Sequence, residues 1–143
     1  MNLFDLKDRV VVMTGATGVL GKSISTYFAC QGAKVVILVR ERSAEKGEAL
    51  SAEIRALGGE AASYVADVMS KSSLEAAYEA IMGKYGRVDV LMNAAGGNMP
   101  AATVAPDKTI FDLDTDAVKI VSDLNLFGTI LPTMVFAKAM AQQ

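Results

Sequence analysis

Three glycines spaced three residues apart, Gly15, Gly18 and Gly21, form the part of this sequence best suited to hold a ligand. They follow the apolar run Val10–Thr14 and precede a stretch of helical periodicity, so a strand would lead its backbone into the start of a helix. The first turn of a helix offers free N–H groups and a positive dipole end to an anion, and glycine permits close approach. The pattern predicts a phosphate-binding turn, and a glycine-containing turn that binds nothing is the alternative.

Polar and small residues also follow the next three predicted strands. Arg40 follows the second strand, Asp67 and Val68 follow the third, and Asn93, Ala94, Ala95 and Gly96 close the fourth. Each has an ordinary structural explanation: a solvated charge, a turn cap, an amide that satisfies nearby backbone groups, or a turn glycine. In a doubly wound sheet, ligands bind at the carboxyl ends of the strands, so the four positions together indicate one ligand site.

The elements that must position these residues alternate between strand and helix. The predicted strands are Val10–Thr14, Lys34–Val39, Ala62–Ala66 and Val88–Ala94, and the predicted helices are Val19–Gln31, one from near Ser43 to Gly58, one from Ser70–Ser73 to Gly86, and one from Thr115 to the end. Short connections in this order predict a single α/β domain with a parallel, right-handed, doubly wound sheet. The loop of residues 96–113 is long enough to be functional.

The last predicted helix is apolar around nearly its whole circumference. Its apolar residues include Val118, Ile120, Val121, Leu124, Leu126, Phe127, Ile130, Leu131, Met134, Val135 and Phe136. A helix that is apolar on all sides must be covered on all sides, and four strands with three helices can cover only one side. We therefore expect the chain to form a homo-oligomer through this helix, through the open edge of the fourth strand, or through both.

Composition excludes several classes of function. The chain has 143 residues, a net charge of −2 and no histidine, so we expect no nucleic-acid partner, no anionic membrane partner and no histidine-based catalysis or metal site. No uninterrupted apolar stretch reaches the ~20 residues of a membrane span, and no secretory signal is recognised at the N-terminus. The single cysteine, Cys30, is expected to be a small buried residue, and we expect a cytoplasmic protein without a bound metal.

The order and spacing of four motifs resemble the short-chain dehydrogenase/reductase family from about residue 8 to the end of the chain. The motifs are Thr14-Gly15-x-x-Gly18-x-x-Gly21, Asp67-Val68, Gly86-Arg87-Val88-Asp89-Val90-Leu91-Met92-Asn93-Ala94-Ala95-Gly96 and Asn125-Leu126-Phe127-Gly128. The resemblance implies a Rossmann-type, NAD(P)-binding domain and hydride transfer between nicotinamide and an alcohol or carbonyl substrate. Two positions depart from the family pattern: its second glycine usually falls at Val19, and its Asn-Asn-Ala-Gly has Ala94 here.

The resemblance also implies roles for individual residues. The turn of Gly15, Thr17, Gly18, Val19, Leu20 and Gly21 would hold the pyrophosphate, Asp67 and Val68 the adenine, and Asn93, Ala94, Ala95 and Gly96 would lie beside the adenosine ribose. Asn125 matches an asparagine that kinks the helix and holds a water in the family's proton relay. From its sequence context alone, Asn125 would be a polar residue tucked into an apolar helix.

The end of the second strand bears on the choice of cofactor. An acid at this position would hold both hydroxyls of the adenosine ribose and select NAD, but the chain has Val39 followed by Arg40. A guanidinium favours the 2′-phosphate of NADP, whereas Glu41 lies close enough to repel it. NADP is therefore the expected cofactor, and NAD is the alternative.

The loop after the fourth strand bears on the substrate. The segment Gly96-Gly97-Asn98-Met99-Pro100, with a longer insertion after it, resembles the branch of the family that includes D-mannonate oxidoreductase. Those enzymes interconvert a sugar acid and its keto form. The resemblance therefore implies a small-molecule substrate such as D-mannonate or fructuronate.

The arrangement of side chains that carries the family's proton transfer does not occur in this sequence. The family uses a tyrosine with a lysine four residues later, and a serine that orients the carbonyl. The tyrosines Tyr27, Tyr64, Tyr78 and Tyr85 have Gln31, Val68, Met82 and Asp89 at that fourth position instead. We expect residues 1–143 to be the cofactor-binding part of a longer enzyme, truncated before the catalytic half and inactive alone. A non-catalytic dinucleotide-binding or sensor domain is the alternative.

Overall fold

The computed structural model describes residues 5–143, which build a parallel sheet with helices on both faces. The strands are β1 Val10–Thr14, β2 Lys34–Val39, β3 Glu60–Val65 and β4 Val90–Asn93, and the helices are α1 Val19–Cys30, α2 Ala44–Ala56, α3 Lys71–Tyr85 and α4 Thr115–Gln142. Short 3₁₀ turns lie at Glu41–Ser43, Pro100–Ala102 and Ile110–Asp112. The predicted doubly wound α/β fold with a long C-terminal helix is confirmed.

The strands lie in the order β3-β2-β1-β4, and every pair is parallel. The chain returns to the far side of β1 only when it forms β4, so the strand order reverses between β1 and β4. At such a reversal the connections leave in opposite directions and open a crevice at the carboxyl ends of the strands. The glycine turn after β1 lies at this crevice.

Alternate residues of the central strands face two separate cores. Val10 and Val12 pack with α3 and α4, whereas Val11 and Met13 pack with α1 and α2. All five residues of β1 are buried because helices cover both faces and strands flank both edges. This burial explains why β1 is a continuous apolar run rather than an alternating one.

Two predicted strands have different bounds in the structure. The third begins at Glu60 because the N–H of Gly59 closes the α2 terminus on the carbonyl of Ile54, so that Glu60 already pairs with Lys34. The fourth begins at Val90, two residues later than predicted. The carboxylate of Asp89 instead accepts the N–H of Val10, the first residue of β1, at 2.9 Å.

The helix ends show further details. Helix α4 begins at Thr115, as predicted, and is capped by Asp114, whose Oδ1 accepts the N–H groups of Asp116 and Ala117 at 2.9 and 3.1 Å. The first helix ends at Cys30, one residue before the predicted end. Cys30 itself is exposed, which corrects the prediction of burial; α1 instead turns its small residues Gly21, Ser25 and Ala29 to the sheet.

Helix α4 is covered on one side only. Phe136 is fully buried and makes an edge-to-face contact with Tyr78 of α3, whereas Phe127 is 44% exposed and Met134 is 58% exposed. Within residues 5–143, α4 is the single helix whose length and mean hydropathy of 1.5 would suffice to cross a membrane. Core helices of globular proteins meet that criterion too, so the observation establishes no membrane contact.

Candidate functional site

A cleft of about 260 Å³ opens at the carboxyl ends of the four strands. Eight of the predicted site residues line it: Gly15, Thr17, Gly18, Arg40, Val68, Ala94, Ala95 and Gly96. Leu38, Val39, Ser43, Ala66 and Leu124 complete the lining. Val19, Leu20, Gly21, Asp67, Asn93 and Asn125 were predicted as site residues but do not line the cleft.

The hydroxyl of Thr14 joins the two strands that frame the cleft. Its Oγ1 accepts the N–H of Ala94 at 3.1 Å and the N–H of Ala95 at 3.0 Å, and Thr14 is fully buried. Backbone turns that leave a strand need partners for their N–H groups. Thr14 supplies both partners, so the end of β1 sets the position of the wall formed by Ala94, Ala95 and Gly96.

The three glycines of the turn are glycine for different reasons. Gly15 has φ +68°, and a Cβ there would lie 2.3 Å from the carbonyl oxygen of Ala94. A Cβ on Gly21 would lie 2.2 Å from the carbonyl oxygen of Gly15. At Gly18, φ is −75° and a Cβ would lie 3.3 Å from that same oxygen, so the chain itself tolerates a side chain much better there. Gly18 therefore leaves room in the cleft for a ligand.

The start of α1 is open to solvent beside the turn. Gly18 is its N-cap and provides no side-chain capping bond, and the first turn holds no acidic residue. The side chain of Val19 is 90% exposed and Leu20 is also exposed, whereas Gly21 is buried beneath the turn. The free N–H groups and dipole of this helix end thus face no internal anion.

The end of β2 contributes a cation and a hydroxyl to the cleft. Among residues 5–143, Arg40 has no carboxylate partner, whereas Arg9, Arg55 and Arg87 each form an ion pair. The N–H of Ser43 donates to the carbonyl of Arg40 at 2.8 Å, and its side chain makes no capping bond. Glu41, which was expected to repel a phosphate, does not line the cleft.

Asp67 holds the turn between β3 and α3. Its Oδ1 accepts the N–H of Met69 at 2.9 Å, and its own N–H donates to the Oγ of Ser73 at 3.0 Å. These are the bonds of a turn cap, which is the ordinary structural role of an aspartate at such a position. Val68, the next residue, lines the cleft and is buried.

Asn93 and Asn125 lie behind the wall of the cleft. The Nδ2 of Asn93 donates to the Oγ1 of Thr133 at 3.0 Å. The side-chain amide of Asn125 binds Gly97 twice: it accepts the N–H at 3.3 Å and donates to the carbonyl at 2.8 Å. A Cβ on Gly96 would lie 2.5 Å from the Oδ1 of Asn125, so this contact requires a glycine.

Sequence reasoning missed the apolar surfaces of the cleft and one polar residue. Leu38 and Ala66 resemble core positions in the sequence, because a strand end that lines a cleft has the same composition as a buried strand. Leu124 resembles the other apolar residues of α4. From the sequence, Ser43 is placed only near the start of the second helix. Its position three residues after Arg40, across one short turn, is the signal that could have placed it beside the cleft.

Comparison with known proteins identifies the family. The chain matches the short chain dehydrogenase family over residues 9–143 and therefore belongs to it, as predicted. It is 39% identical over 142 residues to the uncharacterized oxidoreductase UxuB of Bacillus subtilis, covering 94% of this chain and 50% of that protein. It is 31% identical to the D-threitol dehydrogenase of Mycolicibacterium smegmatis, covering 97% of this chain and 50% of that protein. The chain thus spans about half the length of the curated relatives it matches.

Solved structures agree with this assignment. A Haemophilus influenzae protein assigned as a D-mannonate oxidoreductase, with bound NAD, has a TM-score of 0.88 and 32% identity, covering 95% of this chain and 51% of that one. A metagenomic short-chain oxidoreductase in complex with NADP has a TM-score of 0.80 and 30% identity, covering 95% and 58%. The similarity to the first agrees with the predicted branch, and the two structures differ in cofactor.

Proposed function

We propose that residues 1–143 are the cofactor-binding part of a cytoplasmic, NAD(P)-dependent short-chain oxidoreductase. The observation that carries the proposal is the cleft on which the glycine turn, the end of β2 and the wall of Ala94, Ala95 and Gly96 converge. Direct titration of the chain with NADPH and with NADH tests it. A chain that binds neither dinucleotide would contradict it.

Within the cleft, each surface suits one part of a dinucleotide. Gly18 and the open start of α1 suit the pyrophosphate, because unpaired N–H groups and a helix dipole attract an anion. The apolar lining of Leu38, Ala66 and Val68 suits the flat adenine ring, with Asp67 holding the turn that carries Val68. The wall of Ala94, Ala95 and Gly96 would then lie beside the adenosine ribose, with Asn93 behind it.

We propose NADP as the preferred cofactor because Arg40 lines the cleft without a carboxylate partner among the described residues, and Ser43 stands beside it. A hydrogen bond to a charged group contributes about 1.5–3 kcal/mol, so Arg40→Ala should weaken NADPH binding roughly 10- to 100-fold and leave NADH binding within about twofold. Arg42→Ala, a neighbouring arginine outside the lining, is the control. Equal loss for both cofactors, or a wild-type preference for NADH, would contradict this choice.

For the whole protein we propose hydride transfer between a nicotinamide and an alcohol or carbonyl, with a sugar acid such as D-mannonate as substrate. The similarity to an oxidoreductase assigned to D-mannonate supports this substrate class. Asn125 would support the proton relay, and the missing serine, tyrosine and lysine would come from sequence beyond the half matched here. The 143-residue chain should therefore bind cofactor without oxidising D-mannonate or reducing fructuronate, and any turnover would contradict the proposal.

We also propose that the chain self-associates through the exposed side of α4, the edge of β4, or both. The exposed residues Leu126, Phe127, Ile130 and Met134 support the helix, and the half-buried strand β4, which pairs only with β1 among the described strands, supports the edge. Exposed apolar surface and unpaired strand edges favour association. Sedimentation velocity over a concentration series should show species larger than the monomer.

A further inference from the structure

The wall of the cleft is held at both of its ends by helix α4. Ala94, Ala95 and Gly96 lie between Asn93 and Gly97 in the chain. Asn93 donates to the Oγ1 of Thr133 at 3.0 Å, and Gly97 is bound on its N–H and its carbonyl by Asn125. The position of α4 therefore sets where the wall begins and where it ends.

The two residues of α4 that contact the ends of the wall belong to one polar row along the helix. Asn125, Thr129 and Thr133 follow one another at intervals of four and share a face. Each also donates to the carbonyl four residues earlier: Asn125 to Val121 at 2.7 Å, Thr129 to Asn125 at 3.0 Å and Thr133 to Thr129 at 2.7 Å. Asn125 and Thr133 are about 12 Å apart along the helix axis. This separation lets the two residues contact opposite ends of the short wall.

The contact between Asn93 and Thr133 has a defined polarity in the structure. The hydroxyl proton of Thr133 is used by the carbonyl of Thr129, so its oxygen can only accept, and Asn93 must present its N–H₂ to it. A flipped amide would face the Thr133 oxygen with no proton between them. The Oδ1 of Asn93 is consequently directed elsewhere, and it is buried without a partner among the described residues. Thr133 thus fixes the orientation of the Asn93 amide.

We infer that Thr133 is a positioning residue for the cofactor cleft, acting through Asn93. The inference rests on the proposed function for its link to cofactor binding. Thr133 does not line the cleft. It holds the end of β4 from which Ala94 and Ala95 depart, and the N–H groups of those two residues must then meet Thr14 within 3.0–3.1 Å. Loss of the Thr133 hydroxyl frees Asn93 and loosens the wall.

The test compares three variants of the full 143-residue chain. Thr133→Val keeps the shape and removes the hydroxyl, Thr133→Ser keeps the hydroxyl, and Thr129→Val removes a hydroxyl from the same row that does not contact Asn93. A typical hydrogen bond contributes about 1 kcal/mol, equivalent to roughly fivefold. Thr133→Val should weaken NADPH binding about three- to tenfold, and the other two should stay within about twofold.

Amide hydrogen exchange at Ala94 and Ala95 gives a second readout that needs no cofactor. Exchange at both should accelerate in Thr133→Val and remain at the wild-type rate in Thr133→Ser and Thr129→Val. Unchanged exchange in Thr133→Val, or equal acceleration in Thr129→Val, would overturn the inference. If the wild type binds no dinucleotide, the proposed function fails, while the exchange rates still decide whether Thr133 positions the wall.

Discussion

The glycine turn and helix α4 lie on opposite sides of the same cleft and differ in how fully the described chain covers them. Around the turn, β1 is buried along its whole length and its end is bonded to the wall through Thr14. On the other side, every residue of β4 is only half-buried, and α4 exposes Phe127 and Met134. The side of the glycine turn is thus covered within these residues, whereas the α4 side has apolar surface available to a further partner.

The largest predicted effect is on the free energy of unfolding, and it distinguishes the buried side of α4 from the exposed side. Phe136→Ala removes a fully buried ring in contact with Tyr78 and should lower the free energy of unfolding by about 3–5 kcal/mol. Phe127 lies about two and a half turns earlier, on the opposite side of the helix, and is partly exposed, so Phe127→Ala should change stability by less than about 1 kcal/mol in the monomer. Urea denaturation at low protein concentration measures both.

The same pair of variants tests self-association. If Phe127 is covered by a second copy, Phe127→Ala should shift the sedimentation profile towards monomer. An unchanged profile together with a large loss of stability would show instead that Phe127 is covered within one chain, and the contrast between the two sides of α4 would fail.

A smaller predicted effect on stability distinguishes Gly15 from Gly18 in the turn. Gly15→Ala combines a positive φ with an overlap on the carbonyl of Ala94 and should destabilise the chain by about 3 kcal/mol. Gly18→Ala should change stability by less than about 1 kcal/mol, because φ there is ordinary and the added carbon meets a single atom at 3.3 Å. Gly18→Ala should still weaken dinucleotide binding at least tenfold. Comparable losses of stability in both variants would contradict the distinction.

The smallest effect concerns pH and the starts of β1 and β4, which Asp89 joins. Burial alone would raise the pKa of Asp89, but hydrogen bonds from Arg87, from the N–H of Val10 and from Arg9 outweigh it and lower the pKa below its usual value. A carboxyl with a lowered pKa in the folded state stabilises the protein above its unfolded pKa of about 3.9, and this contribution is lost as pH falls below that value.

Asp89→Asn should therefore reduce stability at pH 7 by about 1–3 kcal/mol and flatten the loss of stability between about pH 5 and pH 3. Asp112 is the control: its pKa is also lowered, by hydrogen bonds from Thr109, but it is exposed in a surface turn. Urea midpoints measured across this pH range should change less for Asp112→Asn. An Asp89→Asn chain with a wild-type pH profile would show that Asp89 does not link the strands.

Most elements were predictable because their signals are local. The end of α3 illustrates this: Ser70 caps it and Gly86 ends it with φ +70°, both as expected from residue type. Burial was less predictable, as Cys30 shows, because a helix with apolar residues on several sides does not reveal which side meets the sheet. Which side is buried depends on where the neighbouring elements lie.

The amino-acid sequence by itself determined the alternation of strands and helices, the glycine turn between β1 and α1, and the family. The strands, helices and turn follow from local backbone preferences and side-chain periodicity, and the family follows from the order and spacing of motifs along most of the chain. Only the tertiary structure decided which side chains frame the cleft. Thr14 meets Ala94 across 80 positions of sequence and Asn125 meets Gly97 across 28, and no local pattern specifies such pairs. They form because the chain crosses from β3 to the far side of β1 to make β4, and α4 then packs back over the end of β4.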